Sequence, residues 1–240
     1  METIQHQLLG KLHFPKSAFG DMRYINSFKE TPPYYETFKL FKDYITQDSV
    51  FFDIGAHFGC ISLQYLKLLK EKNITAELYA FEVNPIVYDC LSKNLSGNNY
   101  SLNNKIKCYN KAVSYSDNEK ISYNIPAPLT GFTWDSYGSF GIENGGPRTD
   151  QFIDIETLSI DSLNKKVDIV KIDVEGYEKN VLLGMKKTII NYKPIIVIEL
   201  NHNSEKDKDF ILNFFNELGY SIKKENGKDD YLFTYDAERY

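Results

Sequence analysis

From Val50 onward, apolar runs of strand length alternate with stretches of helical periodicity, and this alternation constrains the fold more than any other feature. Val50-Phe51-Phe52-Asp53-Ile54 is short and almost wholly apolar, as a strand covered on both faces is. A helix is expected over about Cys60 to Glu71. A second strand spans Glu77 to Glu82, and Pro85 suits the first turn of a helix running to about Leu95. Lys105 to Val113 and Val167 to Asp173 read as third and fourth strands, the latter followed by a helix over about Glu178 to Lys187. Pro194 to Leu200 is the fifth strand, and the helix after it, Glu205 to Leu218, is ended by Gly219. Between Tyr220–Lys224 and Tyr231–Tyr235 the connection is too short for a crossover helix, so those two strands run antiparallel to each other. The order predicts an α/β fold: a mostly parallel sheet with an antiparallel C-terminal strand and helices on both faces. Ligands then bind at the carboxyl ends of the strands.

Two segments fall outside the alternation. Residues 1–48 read as an N-terminal cap segment with a helix over about Tyr34 to Tyr44, leaving 49–240 as the main domain. Residues 124–151 are punctuated by Gly and Pro and show little periodicity; so long a loop inside a compact domain points to function.

Composition narrows the partners. The 240 residues carry 28 basic and 33 acidic groups, for a net charge of −5, and the only arginines are Arg23, Arg148 and Arg239. Nucleic-acid binders are usually basic and use Arg on phosphate and guanine, so no nucleic-acid partner is expected. No apolar run approaches the ~20 residues of a membrane span, and the first residues lack the apolar core of a secretory signal. Cys60, Cys90 and Cys108 form no paired motif, which predicts reduced thiols, a cytosolic location and no structural zinc.

The first strand runs into Asp53-Ile54-Gly55-Ala56-His57-Phe58-Gly59-Cys60, with a helix at once behind it. Glycines in a strand-to-helix turn let the backbone curve tightly and let a ligand approach the helix N-terminus. The spacing Gly-x-x-x-Gly departs from the Gly-x-Gly-x-x-Gly of dinucleotide folds, which argues against a pyrophosphate and against an NAD enzyme. Glu82, at the end of the second strand, is placed to accept hydrogen bonds from two ribose hydroxyls. Packing alone would also account for two glycines; with Asp53 and Glu82 beside them, a ribose-bearing ligand is the better reading.

Three runs resemble the successive motifs of FkbM-type methyltransferases: Phe52 to Gly59, Phe81-Glu82-Val83-Asn84-Pro85, and Lys171-Ile172-Asp173-Val174-Glu175-Gly176-Tyr177-Glu178. Leu182-Leu183-Gly184 and Pro194 to Glu199 extend the likeness, which covers about residues 50–200. The resemblance implies a class I fold that binds S-adenosylmethionine (SAM) and methylates hydroxyls of sugars and other small or glycan-linked acceptors. By it, Asp53, Gly55, Ala56, His57 and Gly59 shape the methionine end of the cofactor site, Glu82 binds ribose, and Val83 lies against adenine. Asn110, Lys111 and Ala112 border the far side of adenine, although strand-end packing explains Val83 and Ala112 nearly as well. His57 stands where the family usually has Asn.

Methyl transfer to an alcohol needs an in-line donor and acceptor and a group to take the hydroxyl proton. The acidic and imidazole groups at the strand ends are the candidates: Asp173, Glu175, Glu199 and His202. Lys171 sits inside a strand and calls for a carboxylate partner such as Asp53 or Glu199. Glu178 suits helix capping. No Asp-rich loop of familiar metal spacing occurs, so no metal is expected, although Asp173, Glu175 and Glu199 together offer oxygen ligands. In the 124–151 loop, Trp134, Tyr137 and Phe140 lie among glycines, and they are expected to form an acceptor platform on a closing lid. The expected partner is a sugar or glycan. Two alternatives stay open: a class I methyltransferase for a lipid, polyketide or small metabolite, and a catalytically silent binding module.

Overall fold

The computed structural model describes residues 1–16, 18–98, 100, 104–126, 142, 148–201, 204–224 and 229–237. An N-terminal hairpin pairs β1 (Glu2–His6) with β2 (Gly10–Phe14), and α1 (Phe19–Ser27) and α2 (Tyr35–Lys39) follow it. The alternating region begins with β3 (Val50–Ile54), α3 (Cys60–Lys72), β4 (Glu77–Phe81), α4 (Pro85–Gly97) and β5 (Lys105–Tyr109). Next, β6 (Ala112–Val113), β7 (Lys120–Pro126) and β8 (Arg148–Leu158) build a small sheet of their own in the order β6-β8-β7. The chain then returns through β9 (Ile169–Ile172), α5 (Glu178–Leu183), α6 (Lys186–Tyr192), β10 (Ile195–Glu199) and α7 (Lys208–Glu217). It closes with β11 (Tyr220–Lys224) and β12 (Asp230–Tyr235).

The main sheet runs β11-β12-β10-β9-β3-β4-β5. Pairing is parallel from β5 to β10, and β12 lies antiparallel to both β10 and β11. From β3 the chain moves outward to β4 on one side, and β9 lies on the other. The crevice at the carboxyl ends of β3 and β9 is therefore the switch point where such sheets take ligands.

Strand alternation sorts the core into two layers. Phe51, Leu78, Ile169, Val197 and Leu232 face α3 and α4, whereas Phe52, Tyr79, Val170, Ile196 and Phe233 face Val181, Ile189, Ile211 and Phe215 of α5, α6 and α7. The N-terminal segment feeds the first layer with Leu12, Phe14, Phe38 and Phe41, all buried there. The same parity places Asp53, Lys171, Asp173, Glu199 and Asp230 on that first face; Asp53 is the register partner of Lys171, and Glu199 of Asp230. Side-chain period thus gathers one lysine and four carboxylates at one edge of one face.

Several elements differ from the sequence reading. The expected strand Lys105–Val113 breaks at Asn110–Lys111, because Ala112 leaves the main sheet to pair with Thr157. The helix expected over Glu178–Lys187 is two helices: the backbone passes so close to Ser114 that a side chain on Gly184 would lie 1.8 Å from its carbonyl oxygen. The expected helix over Tyr34–Tyr44 is α2 plus a 3₁₀ turn at Lys42–Tyr44. Both ends of the 124–151 loop are strand, since β7 extends to Pro126 and β8 begins at Arg148. Trp134, Tyr137 and Phe140 lie outside the described residues, as does His202.

Candidate active site

Asp53 is the last but one residue of β3, a strand buried along its whole length, and is fully enclosed. Its Oδ2 accepts from the Ser62 hydroxyl at 2.6 Å, and the carboxylate also accepts from the Ser62 N–H in the first turn of α3, a helix whose N-cap Gly59 has no side chain to do so. Its Oδ1 is buried without a hydrogen bond, 3.8 Å from Lys171 Nζ. Burial raises the Asp53 pKa, an effect that Lys171 and Ser62 oppose.

Lys171 is enclosed as well, and its ammonium donates to the Gly55 carbonyl at 2.8 Å and lies 3.1 Å from Asp173 Oδ2. Burial alone would lower its pKa; the charges of Asp173 and then Asp53 reverse this and raise it. The lysine therefore carries a positive charge at the switch point, and its nearest carboxylate, Asp173, stands just past the end of its own strand.

The turn Gly55–Gly59 wraps around this ion pair. Gly55 has φ of +75°, and a side chain there would lie 1.8 Å from the Asp173 carbonyl oxygen, so only glycine fits between β3 and β9. His57 holds a left-handed φ of 51°, a region that the Asn usual at this family position enters more readily, and its ring packs on Phe58.

Glu82 is 8 % exposed at the end of β4. Its Oε2 accepts from the His57 N–H and its Oε1 from the Asn84 N–H, both at 2.9 Å, so each oxygen retains a lone pair. Burial pushes its pKa up to about 7. Asn84 caps α4 through Oδ1 to the Ile86 N–H, and its Nδ2 is buried without a hydrogen bond. Asn110 Nδ2 donates to the Glu82 and Val83 carbonyls at 2.8 and 2.9 Å and so fixes the neighbouring turn. Val83 and Ala112 share a small cluster with Tyr123 and Ile155, and Lys111 pairs with Glu156 of β8. These three join the small sheet to the rim of the crevice.

On the other side of Lys171 from Asp53, the residues Asp173, Glu175 and Glu199 each bring a carboxylate oxygen to within 4.8 Å of the others. Glu175 stands at φ 54° and Gly176 at φ 97°, and this left-handed pair turns the chain back after β9. Asn201 Nδ2 donates to Glu175 Oε2 at 3.0 Å and to Glu199 Oε2 at 3.3 Å. The pKa of Glu199 is driven far upward, first by the Asp173 charge, then by burial and by a hydrogen bond with the Asp173 side chain, with Glu175 and Asp230 adding to the effect. Such a trio of oxygens is also compatible with a divalent cation. Glu178 stands apart in a structural role: Oε1 accepts from the Gly176 N–H at 3.0 Å and Oε2 from Ser204 Oγ at 2.8 Å.

The structure thus gathers Asp53, Gly55, Ala56, His57, Gly59, Glu82 and Asn110 around the turn after β3 and the end of β4, and sets Asp173, Glu175 and Glu199 together beside them at the ends of β9 and β10, with Lys171 between Asp53 and Asp173. Sequence reasoning missed Ser62, Asn84 and Asn201. Only Asn84 carried a signal, an Asn directly before a helix-starting Pro.

Residues 53–222, well over half of the chain, match the Methyltransferase FkbM domain. The chain belongs to this family. Across 212 residues this FkbM-family chain is 27% identical to the hexuronic acid methyltransferase AglP of Haloferax volcanii, covering 82% of the chain and 74% of the relative. Among solved structures it resembles the FkbM methyltransferase of Methylobacillus flagellatus KT, with a TM-score of 0.51 and 18% identity. That match covers 78% of this chain and 44% of the other, so it spans less than half the length of the Methylobacillus chain. The Podospora anserina methyltransferase PaMTH1, solved with S-adenosylhomocysteine bound, matches with a TM-score of 0.51 at 11% identity over 93% of this chain and 89% of its own. At these identities the two structures show the fold: the FkbM-family chain has the class I SAM-methyltransferase fold. Among the described residues, no helix is long and apolar enough to cross a membrane.

Proposed function

We propose that this chain is a SAM-dependent O-methyltransferase whose acceptor is a hydroxyl of a sugar or glycan. The observation that carries the reading is the split of one crevice into two chemistries. One end offers Glu82 with free lone pairs, and Asp53 Oδ1 and Asn84 Nδ2 buried without hydrogen bonds, which fits a ligand bearing ribose hydroxyls and an amino-acid group. The adjoining cluster offers Asp173, Glu175 and Glu199 close together, which fits a group that must lose a proton. The relative that acts on hexuronic acid favours a sugar as the acceptor.

SAM supplies an electrophilic methyl group on a sulfonium. Glu82 would accept from the ribose hydroxyls, Gly55 and Gly59 keep the turn narrow enough for close approach, and Asp53 and Lys171 fix the floor. Asp173 and Glu175, with Glu199 beside them, would orient the acceptor hydroxyl and take its proton as the methyl group leaves the sulfonium. Positioned bases of this kind contribute roughly 10²–10⁴-fold. His202 is a second proton acceptor in this proposal, and Trp134, Tyr137 and Phe140 form the sugar platform between β7 and β8. In this proposal residues 1–48 are a cap and residues 49–240 a catalytic domain with the acceptor insertion at 124–151. Cys60, Cys90 and Cys108 are free thiols, in keeping with the cytosol.

The test is a screen of neutral, amino and acidic glycosides with SAM carrying a labelled methyl group. A labelled O-methyl glycoside is expected. Label appearing only on lipid or small aromatic acceptors would overturn the assignment.

A further inference from the structure

From Gly55 to Phe58 the loop is held by hydrogen bonds from outside it. The Gly55 and Ala56 N–H groups donate to the Phe81 carbonyl at 3.0 Å each, Lys171 donates to the Gly55 carbonyl, and the His57 N–H donates to Glu82. Those anchors belong to strands of the sheet or their ends. The Phe58 carbonyl is held differently: it accepts from Asn94 Nδ2 on α4 at 2.9 Å.

The other bonds of Asn94 lead away from the sheet. Its Oδ1 accepts from the His13 N–H at 2.6 Å, and its Nδ2 also donates to the His13 carbonyl at 3.2 Å, so one amide joins β2 to the loop. The next residue of β2, Phe14, sets its ring edge-on to Phe58 with centroids 4.7 Å apart. Asn94, Phe14 and Phe58 are all fully buried. Phe58 lies between two left-handed residues, His57 at φ 51° and Gly59 at φ 84°, a backbone that persists only where its surroundings over-determine it.

We infer that the N-terminal hairpin is a working part of the cofactor site and that Asn94 is the positioning residue through which it acts. The inference rests on the reading of Gly55–Gly59 and Glu82 as the SAM site. Without the Asn94 donor, the buried Phe58 carbonyl has lost its partner, and the peptide turns toward another. That rotation carries His57 with it and removes an N–H from the carboxylate of Glu82. SAM and S-adenosylhomocysteine should both bind more weakly, although neither Asn94 nor the hairpin touches them.

The experiment is calorimetric titration of S-adenosylhomocysteine into the full chain, with the melting temperature of each ligand-free variant measured alongside. Asn94→Asp keeps the size and the acceptor for His13 but turns an oxygen toward the Phe58 carbonyl; its affinity should fall at least about tenfold. Phe14→Leu removes the ring edge and should cost about threefold or more. It also serves if Asn94→Asp fails to fold. Phe233→Leu is the control: its ring stacks on Phe215 at 4.0 Å in the opposite layer. It should lower the melting temperature yet keep affinity within about twofold. Wild-type affinity in Asn94→Asp or Phe14→Leu would overturn the inference. So would an equal loss in Phe233→Leu at an equal melting temperature, because stability alone would then explain it. A wild-type chain that does not bind S-adenosylhomocysteine would overturn the cofactor reading itself, and the inference with it.

Discussion

Glu82 offers the sharpest quantitative test of the cofactor end. Its carboxyl is buried, with one backbone N–H on each oxygen, and burial raises its pKa from 4.5 to about 7. The sign follows from which state holds the proton more tightly. Between pH 4.5 and about pH 7 the folded chain binds a proton that the unfolded chain has released. The Glu82 contribution to stability is therefore complete at low pH and lost as pH rises, by at most about 3 kcal/mol. Ribose hydroxyls donate to the ionised form, so ligand binding should work against the proton. With half of the ligand-free chain protonated near pH 7, affinity for S-adenosylhomocysteine should fall about tenfold from pH 8 to pH 6. Titrations at neutral pH in buffers of different ionisation enthalpy should show about half a proton released per ligand. Glu82→Gln should abolish both effects and weaken binding by about 1.5–3 kcal/mol, the worth of charge-assisted hydrogen bonds. Affinity that is flat across this range, with no proton released, would refute the ribose assignment.

The floor and the acceptor end yield three more expectations. Lys171→Met leaves Asp53 without its ion-pair partner, so urea unfolding should show a loss of about 3–5 kcal/mol; a loss below about 1 kcal/mol would mean the ion pair is not structural. Asp173→Asn and Glu175→Gln should lower kcat by about 10²-fold or more while S-adenosylhomocysteine affinity holds, and weaker binding in Asp173→Asn alone would move that residue to the cofactor side. Asp173, Glu175 and Glu199 bring carboxylate oxygens to within 4.8 Å of one another, and the ammonium beside them, Lys171, is already held by Asp173, Asp53 and the Gly55 carbonyl. A neutral glycoside should therefore have a kcat/KM about tenfold or more above that of the matching uronate, unlike the hexuronic acid relative; the reverse preference would show that the uronate charge is met elsewhere.

Period and chain order made the main sheet readable, since each run from Val50 to Tyr235 is long enough, and apolar enough, to declare its type. Its edge was readable too, because Asp53, Glu82, Asp173 and Glu199 all fall where apolar runs stop. What stayed hidden depends on contacts between distant segments. Asn94 and Asn201 are ordinary polar residues until the fold sets His13 and Phe58 beside one, and Glu175 and Glu199 beside the other. The break at Gly184 comes from the approach of Ser114, which helical propensity cannot anticipate. The ribbon of β7 and β8 is a different kind of miss. Lys120 to Ile125 and Phe152 to Leu158 alternate with a period of two, a strand signal overshadowed by the glycines between them.

The most direct test of the central claim follows the methyl group itself. The full chain is incubated with SAM carrying an isotopically labelled methyl and a panel of neutral glycosides, and the product is mapped by NMR through the labelled carbon. The account predicts label on a sugar oxygen, formed by the wild-type chain and strongly reduced in Asp173→Asn, which still binds S-adenosylhomocysteine. Label on nitrogen or carbon, or product formed equally well by Asp173→Asn, would contradict it.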